Sequence, residues 1–326
     1  MRSTSEDSTV LSYFLVISIL VFSLVIYFLF SQTGPDFDSI QVHGNGGLFT
    51  VILTLFRLAC AYLVIHTTIF WMVKNPVPGI MTPLYREDSQ SRSHRSKGFE
   101  RLVPFSSWTM IIFGIAMLWN GISSAWVLFY SPPSEFILHI GTAIYATAFS
   151  SAVLTATIIR YVILPAQMKR GEDIYHMFLP HEQVMHNWAL ILLSCELVLG
   201  TMSIRLPMIA LGLTYGALYL IFAEYWARFG GGYYVYQFID PRPKEGPFLL
   251  VGLMVVCLIS FFVGLFISYI KESSTALALG LVIIQIYPNL GWWPILLGLI
   301  GGPLSGTIYF KKSAREEKFE LRLISN

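Results

Sequence analysis

Apolar stretches long enough to cross a lipid bilayer recur along almost the whole chain, and their number and flanking charges constrain the fold more than any other feature. A hydrocarbon core about 30 Å thick is crossed by roughly 20 apolar helical residues. Such runs lie near 10–30, 47–73, 104–130, 136–164, 183–202, 205–227, 247–270 and 276–310. The pattern predicts an all-α, polytopic transmembrane helix bundle of about eight spans. Composition agrees, with 55% of the 326 residues hydrophobic and 12% charged, where a soluble domain carries about a quarter charged residues. The chain reads as an integral, multi-pass membrane protein.

Two of these stretches carry further expectations. The first exceeds the roughly 7–15 apolar residues of a signal-peptide core and lacks a small-x-small cleavage pattern, so it reads as a signal anchor. The last is interrupted by Pro288, Asn289 and Gly291, which leaves one kinked span, a re-entrant half-helix with a span, or two short spans. Charge arbitrates. Basic residues gather in the 74–103 loop, at Lys169 and Arg170, at Arg228, Arg242 and Lys244, and in the tail at Lys311, Lys312, Arg315, Lys318 and Arg322. The opposite loops keep only Arg205 and Lys271. By the positive-inside rule both termini are cytoplasmic, which favours an even number of crossings. Three regions follow: a signal-anchor span with its outer loop (1–46), a six-span core (47–270), and a kinked or re-entrant element with a basic tail (271–326). The 74–103 loop, polar around Ser89–Lys97, reads as a flexible, solvated topogenic segment, with phosphorylation or contact with anionic lipid as alternatives. Gly230, Gly231 and Gly232 read as a flexible turn.

Several function classes are disfavoured. A formal net charge of +2, spread over loops rather than along one stripe, gives no nucleic-acid footprint. Cys60, Cys195 and Cys257 lie inside apolar stretches without a CxxC pair, so neither a disulfide nor a metal site is expected. His66 and His139 sit near opposite faces on separate spans, which argues against a bis-His haem site; no cofactor is implied.

Ionisable groups within a bilayer cost about 2.5–3.5 kcal/mol each and need a partner or a purpose. Arg57, His66, Glu196 and Glu224 are the notable ones. Arg57 and Glu196 fall at similar depths in the second and fifth spans, which predicts a structural ion pair fixing helix packing. At the basic side, His186 opens the fifth span while Ser106, Ser107 and Thr109 open the third. The sixth span delivers Tyr236 and Asp240 to the same layer. A hydroxyl nucleophile and an imidazole base meet there on this reading. Interfacial His, helix-entrance Ser and belt aromatics produce the same pattern without chemistry. No GxSxG, HExxH or other catalytic motif decides between them.

Three of these segments, in order, resemble the androgen-induced protein 1 family and the related rolling stone membrane proteins. The segments are Pro104-Phe105-Ser106-Ser107-Trp108, the stretch from His186 to Glu196, and Tyr236-Gln237-Phe238-Ile239-Asp240. Arg205-Leu206-Pro207 followed by Tyr215-Gly216-Ala217-Leu218-Tyr219 is closer to the rolling stone pattern. The resemblance covers roughly residues 47–270. It implies a six-span fold and, in the enzymatic branch, a hydroxyl nucleophile with a His base acting on fatty acid esters. Carried over residue by residue, Ser106 is the nucleophile and His186 the base, with Ser107, Thr109, Tyr236 and Asp240 in support. The leading expectation is an intramembrane lipid ester hydrolase whose partners are membrane lipids and a lipid ester substrate. The alternative is a non-enzymatic membrane scaffold or complex subunit that meets a protein partner through its membrane faces. A transporter ranks third, motivated by the interrupted helix around Pro288 and the buried charges.

Overall fold

The computed structural model describes residues 7–30, 40–44, 46–171, 174–200 and 202–273. The stretch 276–310 and the basic tail lie outside the described residues. Six helices in that set are long and apolar enough to cross a membrane, so the chain is a multi-pass helical membrane protein. They are α1 (Thr9–Phe30), α2 (Leu48–His66, extended by a π-helical turn Thr67–Val73), α3 (Phe105–Phe129), α4 (Glu135–Ile158, extended through Ile159–Ile163 and Leu164–Lys169), α6 (Ile209–Phe229) and α7 (Gly246–Ser273). Helix α5 is different. It is assembled from Pro180–Gln183, a π-helical turn Val184–Trp188 and Ala189–Leu199, and its polar residues keep it out of the set of six.

Burial explains why so polar a helix is tolerated. Leu190, Leu193, Ser194, Glu196, Leu197 and Val198 are all buried, against α3, α4 and α7. Lipid therefore touches little of α5, and its hydropathy is set by what surrounds it. One end meets the start of α3, where the Arg101 guanidinium lies 2.9 Å from His181 Nε2. The other end reaches the close of α7, where Lys271 Nζ donates to the carbonyls of Gly200 and Met202, both at 2.9 Å. Helix α5 thus runs the length of the bundle inside a sheath, the physical reason hydropathy counts six helices where the sequence suggested more.

Close approach within the sheath depends on small residues, as usual where helices cannot use the hydrophobic effect against lipid. A Cβ at Gly114 on α3 would come within 2.6 Å of Val64 on α2, and one at Gly141 on α4 would meet Asn120 on α3 at 2.3 Å. Tyr145, fully buried on α4, donates to the Leu193 carbonyl at 2.6 Å and pins α4 to α5.

A polar knot crosses this interior. Arg57 on α2 is completely buried; its Nε donates to Glu196 Oε1 at 3.0 Å and its Nη1 to the Val42 and Asn120 carbonyls and to Ser124. One guanidinium thereby ties α2, α3, α5 and the turn Ile40–His43 together. Glu224 on α6 is held by Arg228 and by the Tyr234 hydroxyl at 2.6 Å.

The 74–103 segment is more ordered than its composition suggests. Strand β1 (Gly79–Met81) pairs antiparallel with β3 (His94–Ser96), and β2 (Leu84–Tyr85) pairs with β4 (Tyr233–Tyr234). A chain of hydrogen bonds stabilises the cap: Tyr85 hydroxyl to His94 Nδ1 at 2.9 Å, His94 Nε2 to Glu100 at 2.7 Å, and Tyr233 hydroxyl to Glu100 at 2.8 Å. Gly232, at φ +75°, makes the turn that lets its carbonyl accept from Arg86 at 2.9 Å. The N-terminal helix is tied to the same end, with Ser8 N donating to the Arg242 carbonyl at 3.0 Å and Ser12 to that of Pro241 at 2.9 Å.

Removing one partner of a buried ion pair leaves the other uncompensated, at a cost of about 3–5 kcal/mol. Arg57→Leu is therefore expected to lower the melting temperature in detergent strongly. The double variant Arg57→Leu/Glu196→Leu should recover a large part of the loss, and a double-mutant cycle by thermal unfolding measures the coupling.

Candidate functional site

A cavity of about 300 Å³ opens at the capped end of the bundle. Its walls come from the start of α3, the end of α4, the start of α5 and the segment after β4. All three π-helical turns among the described residues border it, through Met72, through Ile159, Val162 and Ile163, and through Met185 and His186. Turns of this kind widen a helix locally, expose backbone groups and occur frequently at functional sites.

Ser106, Ser107, His186 and Tyr236 line this cavity together. Thr109 and Asp240 do not. Thr109 Oγ1 is hydrogen-bonded to Thr155 Oγ1 at 2.8 Å between α3 and α4. Asp240 accepts from Arg242 Nε and Nη2, both at 2.8 Å, and from its backbone N–H at 3.1 Å, closing the turn that leads into α7. Ser107 donates to the Arg101 carbonyl at 2.8 Å and also contacts Met185 Sδ at 3.5 Å. Ser106 meets the Tyr236 hydroxyl, whose own pKa is pushed up to about 12 chiefly by burial. His186 Nδ1 faces Glu182 Oε2 at 3.5 Å, four residues earlier on the same helical face.

The remaining polar lining comes from Arg101, Gln167, His181 and Glu182, none of which the sequence reading assigned to the site. A signal existed for one of them, since the four-residue spacing of Glu182 and His186 places both on one face of a helix. Arg101 had none, because its role rests on acceptors scattered in sequence: the carbonyls of Trp71, Met72 and Val77 at 3.1–3.4 Å. Burial lowers its pKa from the ordinary arginine value, an effect opposed by Glu182. Burial pushes the Glu182 carboxyl upward, but the hydrogen bond from His181 and the nearby imidazoles of His186, His181 and His176 outweigh it and hold the group below its ordinary 4.5. The carboxylate is ionised at neutral pH.

The geometry defines a helical membrane bundle with one polar, capped cavity, and the comparisons with known proteins bear on its class. Residues 248–326 match the CCB1 family, whose members are described as B-type subunits for cofactor assembly of complex C. Helix α7 carries the described part of that segment. No curated protein and no solved structure matches the chain. The match overturns the resemblance to the androgen-induced protein 1 and rolling stone families, and with it the hydrolase and lipid-metabolism reading of Ser106 and His186. It favours the complex-subunit alternative. The physical source of the error is visible: hydroxyl and aromatic residues at helix entrances recur in membrane bundles, and here Ser107 and Thr109 hold neighbouring segments while Glu196 holds Arg57.

The depressed Glu182 pKa fixes a sign. A carboxyl whose folded-state pKa lies below its unfolded value contributes stability that is present above the unfolded value and lost as pH falls through the folded one. Wild-type protein is expected to lose thermal stability as pH drops below about 4.5, and Glu182→Gln should lose less over that window. Melting curves against pH for the two proteins check this.

Proposed function

We propose that the protein is a non-enzymatic integral membrane subunit or scaffold acting in the cofactor assembly of a membrane complex. The observation that carries the reading is the match of residues 248–326 to the family described by its part in complex C cofactor assembly. The chemistry of the cavity supports it. Its hydroxyls are engaged with neighbouring helices or with Tyr236, and its imidazoles lie beside an ionised carboxylate. These are the marks of a scaffold held in one shape rather than of an activated nucleophile.

The sheath offers protein partners and lipid extensive apolar surface. Phe14, Val21 and Phe22 on α1 and Phe248, Phe262 and Phe266 on α7 are exposed in the single chain. Helix α7 opens the matched segment, so contacts with other assembly subunits are assigned to its outer face.

Deleting the gene in its native host should abolish accumulation of the cofactor-loaded complex, read by its absorbance after native gel separation, while the apo-subunits are still made. Reintroducing the full chain should restore the complex. A chain ending before residue 248 that still accumulates in the membrane should not. Normal levels of loaded complex in the deletion strain would overturn the proposal.

A further inference from the structure

The capped cavity has a composition that selects among ligands. Its volume of about 300 Å³ falls at the lower end of small-molecule sites, which span about 300–1,000 Å³. A second, narrow space of about 40 Å³ adjoins it between α4, α6 and α7, and Ile159, Ile163, Tyr236 and Phe238 border both. That slot is otherwise apolar, lined by Leu154, Gly216, Leu253, Met254 and Cys257 among others. A polar chamber leading into a single apolar slot fits an amphipathic molecule with one chain.

The head group is constrained by which polar atoms are already engaged. Arg101 looks suited to an anion, but its guanidinium is given over to three backbone carbonyls and His181. Arg170 also borders the cavity and is engaged in an interaction of its own. Glu182 adds a negative charge to the wall and repels anions. Gln167 on α4 is the telling residue. It is 7% exposed, lines the cavity, and its Oε1 is buried without a hydrogen-bond partner. Leaving a buried amide oxygen unsatisfied costs about 1–3 kcal/mol, so the site calls for a ligand that donates. A hydroxyl satisfies this acceptor and can also accept from Ser106 or Tyr236, whereas a phosphate oxygen offers Gln167 Oε1 nothing.

We propose that this cavity binds a membrane lipid with one apolar chain and an uncharged, hydroxyl-bearing head group, such as a monoacylglycerol or a single-chain glycolipid. The head donates to Gln167 and Glu182, and the chain follows the slot past Gly216. The site is a binding site without a covalent step and stands apart from the assembly role, because its residues lie outside the matched segment except at Leu253, Met254 and Cys257.

The test uses the full chain in phosphatidylcholine nanodiscs with a photoreactive diazirine monoacylglycerol as probe. Illumination should label peptides of α4, α6 and α7, and unlabelled monoacylglycerol should compete. Lysophosphatidic acid and free glycerol at the same concentration should not. Gln167→Leu, with a wild-type melting temperature, should weaken labelling about tenfold, the size expected from losing one buried hydrogen bond. Gly216→Leu fills the slot from another helix and should weaken it independently of any folding defect at Gln167. Unchanged labelling in both variants, equal competition by lysophosphatidic acid, or equal competition by glycerol alone would each overturn the proposal.

Discussion

The structure depends on placing a polar helix where lipid touches little of it. Helix α5 carries Glu182, His186, Asn187 and Glu196 through the length of the bundle, and groups of this kind are expensive against hydrocarbon. The sheath of apolar helices removes that cost, and Arg57 makes the arrangement specific. A guanidinium offers five donors in a fixed plane. Here they are divided among a carboxylate, two backbone carbonyls and a serine on separate elements. A bundle held only by apolar packing tolerates sliding and rotation of its helices; a shared guanidinium permits one register. Close contacts at Gly114 and Gly141 follow from that register, since they bring α2, α3 and α4 near enough for the donors to reach.

The same geometry shapes the capped end. Because α5 begins beneath the β-paired 79–102 segment, its first turn faces the entrance of α3 and the exit of α4, and a chamber remains among them. The π-helical turns in α2, α4 and α5 enlarge this chamber without breaking any helix. Arg101 closes its floor by reading three carbonyls at the end of α2 and just beyond it. Local irregularity in three helices at one place is the pattern expected when space must be kept open inside a packed bundle.

Much of this architecture was legible in the sequence. Runs of apolar residues specify membrane helices because the bilayer leaves the backbone few alternatives. The depth of Arg57 and Glu196 can be read from their positions along their helices; that Val42, Asn120 and Ser124 share the guanidinium cannot, since those partners are non-local. The order of the 79–102 segment was hidden for the same reason: strand β2 pairs with β4 far along the chain, and its polar composition resembles that of a free loop. At the site, Ser106, Ser107, His186 and Tyr236 were identifiable by depth, whereas Gln167 and Arg101 become visible only once α4 and the cap are folded. The family resemblance misled because short motifs at helix entrances record bilayer physics as readily as ancestry.

The enclosure of α5 is the central physical claim, and amide hydrogen exchange followed by mass spectrometry in lipid nanodiscs tests it most directly. Residues 189–199 are expected to exchange among the slowest in the chain, slower than the more apolar but peripheral α1, because their amides are shielded both by helix hydrogen bonds and by surrounding helices. Rapid exchange across 189–199, on the scale of exposed loops, would contradict the account and show that α5 lies at the edge of the bundle.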